Sequence, residues 1–119
     1  MQKDDPVEKA EAARDGATLQ PNSGRGKFAK GDAILDDFVI DYKHYETGKF
    51  TVSINNIGKL DTDAHKAGNY DGVFKLILGE DHKVRRWVVP EYVIPRYIEY
   101  KNIVDKLSDK YPDIYLELS

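Results

Sequence analysis

The stretch GDAILDDFVIDYK, residues 31–43, decides how this chain is to be read. Two apolar runs, Ala33 to Leu35 and Phe38 to Ile40, flank the pair Asp36-Asp37, which is the pattern of a β-hairpin closed by a two-residue turn. If the hairpin closes symmetrically, Leu35 faces Phe38, Ile34 faces Val39, Ala33 faces Ile40 and Asp32 faces Asp41. Opposed residues on antiparallel strands have Cβ atoms about 4.5–5.5 Å apart, a spacing at which like charges destabilise the sheet. Side chains also alternate along a strand, so Val39, Asp41 and Lys43 share one face while Phe38, Ile40 and Tyr42 take the other. Two carboxylates and an ammonium therefore gather on one patch of what is otherwise a buried sheet, and something must offset the repulsion.

A divalent cation offsets it most simply. Two carboxylate oxygens, a strand carbonyl such as that of Tyr42 and water molecules make a set of hard donors suited to Mg²⁺, which keeps much of its hydration shell. Lys43, one pleat further on, then lies beside the water on that metal, and the arrangement has the form of a phosphodiester-hydrolysing centre. A purely structural reading stands beside it: Asp32 opens a strand, Asp36 and Asp37 fill a turn, and Asp41 pairs with Lys43 at a solvated edge. A bulge or a longer turn breaks the register on which the first reading depends.

Outward from the hairpin, the chain alternates helical and extended patterns. A short Ala/Glu-rich helix is expected over Val7 to Arg14, with Gly16 as its stop. Residues 1–6 carry no apolar periodicity and are expected to be loose. ATLQ (17–20) reads as a brief strand, followed by a loop punctuated by Pro21, Asn22, Gly24 and Gly26. A strand is expected over Phe50 to Val52, then a helix capped by Ser53 with Ile54, Ile57, Leu60 and Ala64 inward. VFKLIL (73–78) and VRRWVV (84–89) read as strands, and a last helix begins near Pro95, carries Tyr97, Tyr100, Val104 and Leu107 on one stripe, and breaks at Pro112. The expected fold is a single α/β domain over 1–119, a mixed sheet covered by helices.

Composition narrows the chemistry. With 119 residues, 40% hydrophobic and 33% charged, the chain suits one globular core. Zero cysteines exclude disulfides and thiolate zinc sites, and three scattered histidines make a poor metal cage, so any metal sits on oxygen. No apolar run approaches a membrane span and the start shows no signal-peptide core, so a cytoplasmic location is expected. A net charge of −3 gives no global pull on nucleic acid, so local patches must supply it, and QPNSGRGKFAK (20–30) holds Arg25, Lys27 and Lys30 with no acid among them.

Taken in order, VEKAEA, NSGRGKFAK, GD (31–32) and IDYK (40–43), followed by FTVSINNIGKLDTDAHKAG, GVFKLIL and RRWVVP, resemble the PD-(D/E)XK nucleases, and within them the small archaeal and phage-type Holliday junction resolvases. The resemblance implies a restriction-endonuclease-like mixed β-sheet flanked by helices. It also implies a metal-dependent endodeoxyribonuclease, using Mg²⁺ or Mn²⁺ in its place, that cuts four-way junctions arising in DNA recombination. By the same resemblance Asp32 and Asp41 are metal ligands together with the Tyr42 backbone carbonyl, and Lys43 is the catalytic lysine. Glu8 or Glu11 is the helical carboxylate, Ser23 approaches the scissile phosphate, and Arg14, Arg25, Lys27 and Lys30 contact DNA. A homodimer acting on branched DNA, in the host cytoplasm if phage-encoded, completes the implication. The sequence departs from the family pattern in carrying Gly31 before Asp32 instead of proline, and Asp41 where glutamate is commoner. A nuclease for flaps, nicked duplex or restriction-type sites, and an inactive DNA-binding module of the same fold, are the alternatives.

Overall fold

The computed structural model describes residues 6–19 and 33–113. Its elements run α1 (Pro6–Asp15), β1 (Thr18–Leu19), β2 (Ala33–Leu35), β3 (Phe38–Tyr45), α2 (Ile54–Gly68), β4 (Asp71–Leu78), β5 (Val84–Val88) and α3 (Val93–Lys110). The five strands form one sheet in the order β1-β2-β3-β4-β5; β3 and β4 are parallel and the other neighbours antiparallel. This is the mixed α/β sheet with helices that the sequence led us to expect.

The hairpin closes in the expected register, with Leu35 opposite Phe38, Ile34 opposite Val39 and Ala33 opposite Ile40. Asp36 makes this possible by taking the left-handed conformation (φ 53), which aspartate tolerates better than most residues. Antiparallel β2 and β3 need only this turn, whereas the parallel partner β4 needs a crossover, and α2 supplies it. Ser53 caps α2 by accepting the Asn56 N–H at 3.1 Å, and Asn69 ends the helix in the left-handed region.

Two hydrophobic layers lie on opposite faces of the sheet. Ala12 of α1 packs with Ile40, Tyr42, Val73 and Ile77, while Leu60 of α2 packs with Phe74 and Leu76. The second contact is close, since a Cβ placed on Gly72 would stand 2.5 Å from Leu60 Cγ. Glycine at that position lets the helix sit down on β4. Two expectations change here. Residues 50–52 form no strand: Phe50 lies against Tyr45 and Phe74 at ring distances of 5.6 and 5.5 Å, and the Thr51 carbonyl accepts from the Asn56 side chain. The aromatic ring finds burial without a strand partner. Ile54 and Ile57, expected to face inward, are exposed, and only Leu60 and Ala64 of α2 are buried.

The α1 face carries a buried charge network. Lys75, in the middle of β4 and 4% exposed, places Nζ 2.8 Å from Glu11 Oε2 and 2.8 Å from both Asp15 carboxylate oxygens, and 4.9 Å from the Trp87 ring centre. Arg85 of β5 binds the same Glu11 carboxylate through Nε and Nη2 at 2.7–2.9 Å. The Tyr42 hydroxyl donates to Asp15 at 3.0 Å. Arg85 is thus tied to α1.

The chain divides into two compact units, one through Val89 and one from Pro90. The second holds α3, which starts two residues before Pro95; the proline falls within the first turn, where its missing N–H breaks no helical bond. None of the α3 residues is buried, and Ile94, Tyr97, Ile98, Tyr100 and Ile103 are exposed.

Removing one partner of a buried, hydrogen-bonded ion pair leaves the other uncompensated, so Lys75→Ala is expected to lower stability by about 3–5 kcal/mol in urea unfolding. The Arg85 hydrogen bonds, aided by Lys75 and opposed by burial, hold the Glu11 carboxyl at about 2 against an ordinary 4.5. Its stabilising contribution is therefore complete above pH 4.5 and is lost as the pH falls towards 2. Over that range the urea midpoint of the wild type should fall more steeply than that of Glu11→Gln.

Candidate active site

Asp41 and Lys43 project from β3 on the α2 face of the sheet. In the parallel ladder Asp41 pairs with Phe74 and Lys43 with Leu76, the two residues on which Leu60 packs. The pair is half-buried, and Lys43 Nζ lies 3.3 Å from Asp41 Oδ2. Burial pushes the Asp41 carboxyl above its ordinary range. The ammonium of Lys43, and more weakly that of Lys59 on α2, pull it down, while Asp63, one turn beyond Lys59, adds to the rise. Burial wins over the ion pair, so this carboxylate sits where it lacks enough positive charge.

The main chain of β3 divides its polar groups between two edges. The carbonyls of Asp37 and Tyr45 accept from Asp71 and Gly79 on the β4 side, so odd-numbered residues of β3 point there. Even-numbered residues, including Tyr42 and His44, point their main-chain groups to the β2 side. The Tyr42 carbonyl thus leaves along the edge shared with β2, two residues past Ile40, which pairs with Ala33.

Glu8, in the first turn of α1, comes to that edge. Its Oε2 accepts the His44 N–H at 3.0 Å, and the His44 ring meets the His82 ring edge-on at 4.7 Å. Glu11 lies one turn further along α1 and is spent on Lys75 and Arg85, as described above. Of the two helical carboxylates weighed from the sequence, Glu8 is the one that reaches β3 beside Lys43. Arg14, on the last turn of α1, is exposed and stands 3.6 Å from Glu11. Asp32, Ser23, Arg25, Lys27 and Lys30 lie outside the described residues.

Asp41, the Tyr42 carbonyl and Glu8 offer only hard oxygen atoms, the donor type of a cation such as Mg²⁺ that retains water ligands. Among the described residues no three His, Cys, Asp or Glu side chains form a ready-made metal group. The donor chemistry fits a hydrated hard cation with few protein ligands.

Two features escaped the sequence reading. Lys75 interrupts the apolar run VFKLIL, a signal that a charge was being buried, but its partners lie 60 or more residues away. Lys59 and Asp63 stand four residues apart, the spacing of neighbours on one flank of a helix, and their nearness to Asp41 depends on the crossover placing α2 over β3.

Because folding raises the Asp41 carboxyl, the folded protein holds that proton more tightly than the unfolded chain, and ionisation costs stability as the pH rises. Asp41→Asn should therefore melt at a higher temperature than the wild type near neutral pH without metal, with the difference closing below pH 3.8. No protein-family model, curated protein or solved structure matches this chain, so the site is to be judged by its own geometry and charge.

Proposed function

We propose that the protein is a metal-dependent DNA endonuclease that hydrolyses phosphodiester bonds, with four-way junctions as its substrate and a homodimer as its working form. What carries the reading is the undercompensated Asp41 carboxylate beside Lys43 on one face of β3, with the Glu8 carboxylate drawn to the adjoining edge of the same strand. The sequence resemblance set out above supplies the substrate class, and the two-fold symmetry of a junction, which needs paired cuts, supplies the dimer.

In this reading Asp41, the Tyr42 carbonyl and Glu8 would hold the Mg²⁺, together with Asp32 as the resemblance implies. When bound, the cation lowers the pKa of a water and screens charge on the phosphate. Asp41 would serve as a ligand, and Lys43, 3.3 Å from it, would stand beside the substrate phosphate. Lys43 then donates hydrogen bonds to the attacking water or to a non-bridging phosphate oxygen, where negative charge grows as the bond to the leaving oxygen breaks. The half-burial of both side chains raises the strength of these interactions above what water would allow.

The test is cleavage of a labelled immobile four-way junction beside linear duplex and flap controls, in Mg²⁺ or in EDTA. Paired symmetric nicks that require Mg²⁺ are expected, and Lys43→Ala should slow cutting by about 10²–10³-fold at protein concentrations that saturate the junction. Equal cutting by wild type and Lys43→Ala, or cutting in EDTA, would overturn the assignment. Junction binding with no cutting under any metal would instead mark a recognition module.

A further inference from the structure

We propose that Lys59, on α2, is a second cation of this site that contacts a backbone phosphate of the bound DNA beside Lys43. The inference rests on the nuclease reading and extends it to an element outside the hairpin. Leu60 fixes the geometry. It is buried on Phe74 and Leu76, whose strand neighbours are Asp41 and Lys43, so the helix turn that carries Leu60 stands over the site. Gly72 removes the side chain that would lift that turn away.

Lys59 immediately precedes Leu60, and Asp63 follows Lys59 by four residues, so both lie on one flank of α2 next to the buried stripe of Leu60 and Ala64. The helix also touches β3 itself, the strand that carries Asp41 and Lys43. Lys59 is exposed, so its ammonium is open to a polyanion. The flank also carries the opposing charge of Asp63. A phosphate drawn to this surface therefore meets two lysines that attract it and a carboxylate on α2 that repels it. A structural role for the two α2 residues predicts no such opposition.

The experiment is junction binding in EDTA, with the immobile four-way junction as probe and the dissociation constant followed against salt concentration. One lost phosphate contact lowers the slope of log K against log salt by about 0.9, and weakens binding about eightfold at 0.1 M salt. Lys59→Ala should show both effects, Lys59→Arg should restore the wild-type slope, and Asp63→Asn should tighten binding. Lys9→Ala, the same charge change on exposed α1 surface across the sheet, should leave the slope unaltered. If the wild type binds and cuts the junction but Lys59→Ala keeps the full slope, the role of Lys59 is overturned and the nuclease reading stands. A wild type that neither binds nor cuts any of the DNA probes sinks both.

Discussion

A lysine ammonium in the centre of a β-sheet cannot be left unpaired, and the satisfaction of Lys75 organises much of this fold. Moving an ion of that size out of water costs several kcal/mol, which only well-placed opposite charge can offset. Glu11 and Asp15 provide it from successive turns of α1, Tyr42 braces Asp15 from β3, and Arg85 braces Glu11 from β5. Apolar contacts of Ala12 could slide along the sheet, but hydrogen bonds to fixed carboxylates cannot. The network thus sets the rotation and the height of α1, and with them the point at which Glu8 meets β3. Charge pairing on the α1 face thus fixes where the Glu8 carboxylate meets the edge of β3.

The two faces of β3 treat ionisable groups in opposite ways. On the α1 face the buried charges among the described residues, Glu11 and Lys75, are paired, and the Glu11 carboxyl is held far below its usual range. On the α2 face Asp41 has one lysine in contact and is raised in spite of it. The contrast within one strand separates a network that is complete from one that has capacity left.

How far the residues alone led differs from element to element, for physical reasons. The hairpin register was readable because a two-residue turn leaves the flanking strands no freedom to slip, and the cap at Ser53 because its hydroxyl bonds a neighbour three residues on. The supposed strand at 50–52 was misread because an aromatic residue beside β-branched ones can bury its ring by stacking instead of pairing. The roles of Glu8 and Glu11 are not separable from sequence, since one helix turn divides them and only the Glu11 partners Lys75 and Arg85, more than 60 residues away, tell them apart. Lys59 was passed over for the same reason: helical spacing tells which residues share a flank and is silent on what that flank faces.

The buried lysine also bears on how the chain avoids trouble while it folds. VFKLIL would, without its third residue Lys75, be an unbroken apolar strand of high β-propensity, the kind of segment that pairs with copies of itself when exposed. Until α1 docks, that face of β4 presents a hydrated ammonium in the middle of the run. An inward-pointing charge of this sort discourages strand-to-strand association between incomplete molecules. The same group that demands α1 in the finished protein guards the sheet against aggregation before α1 arrives.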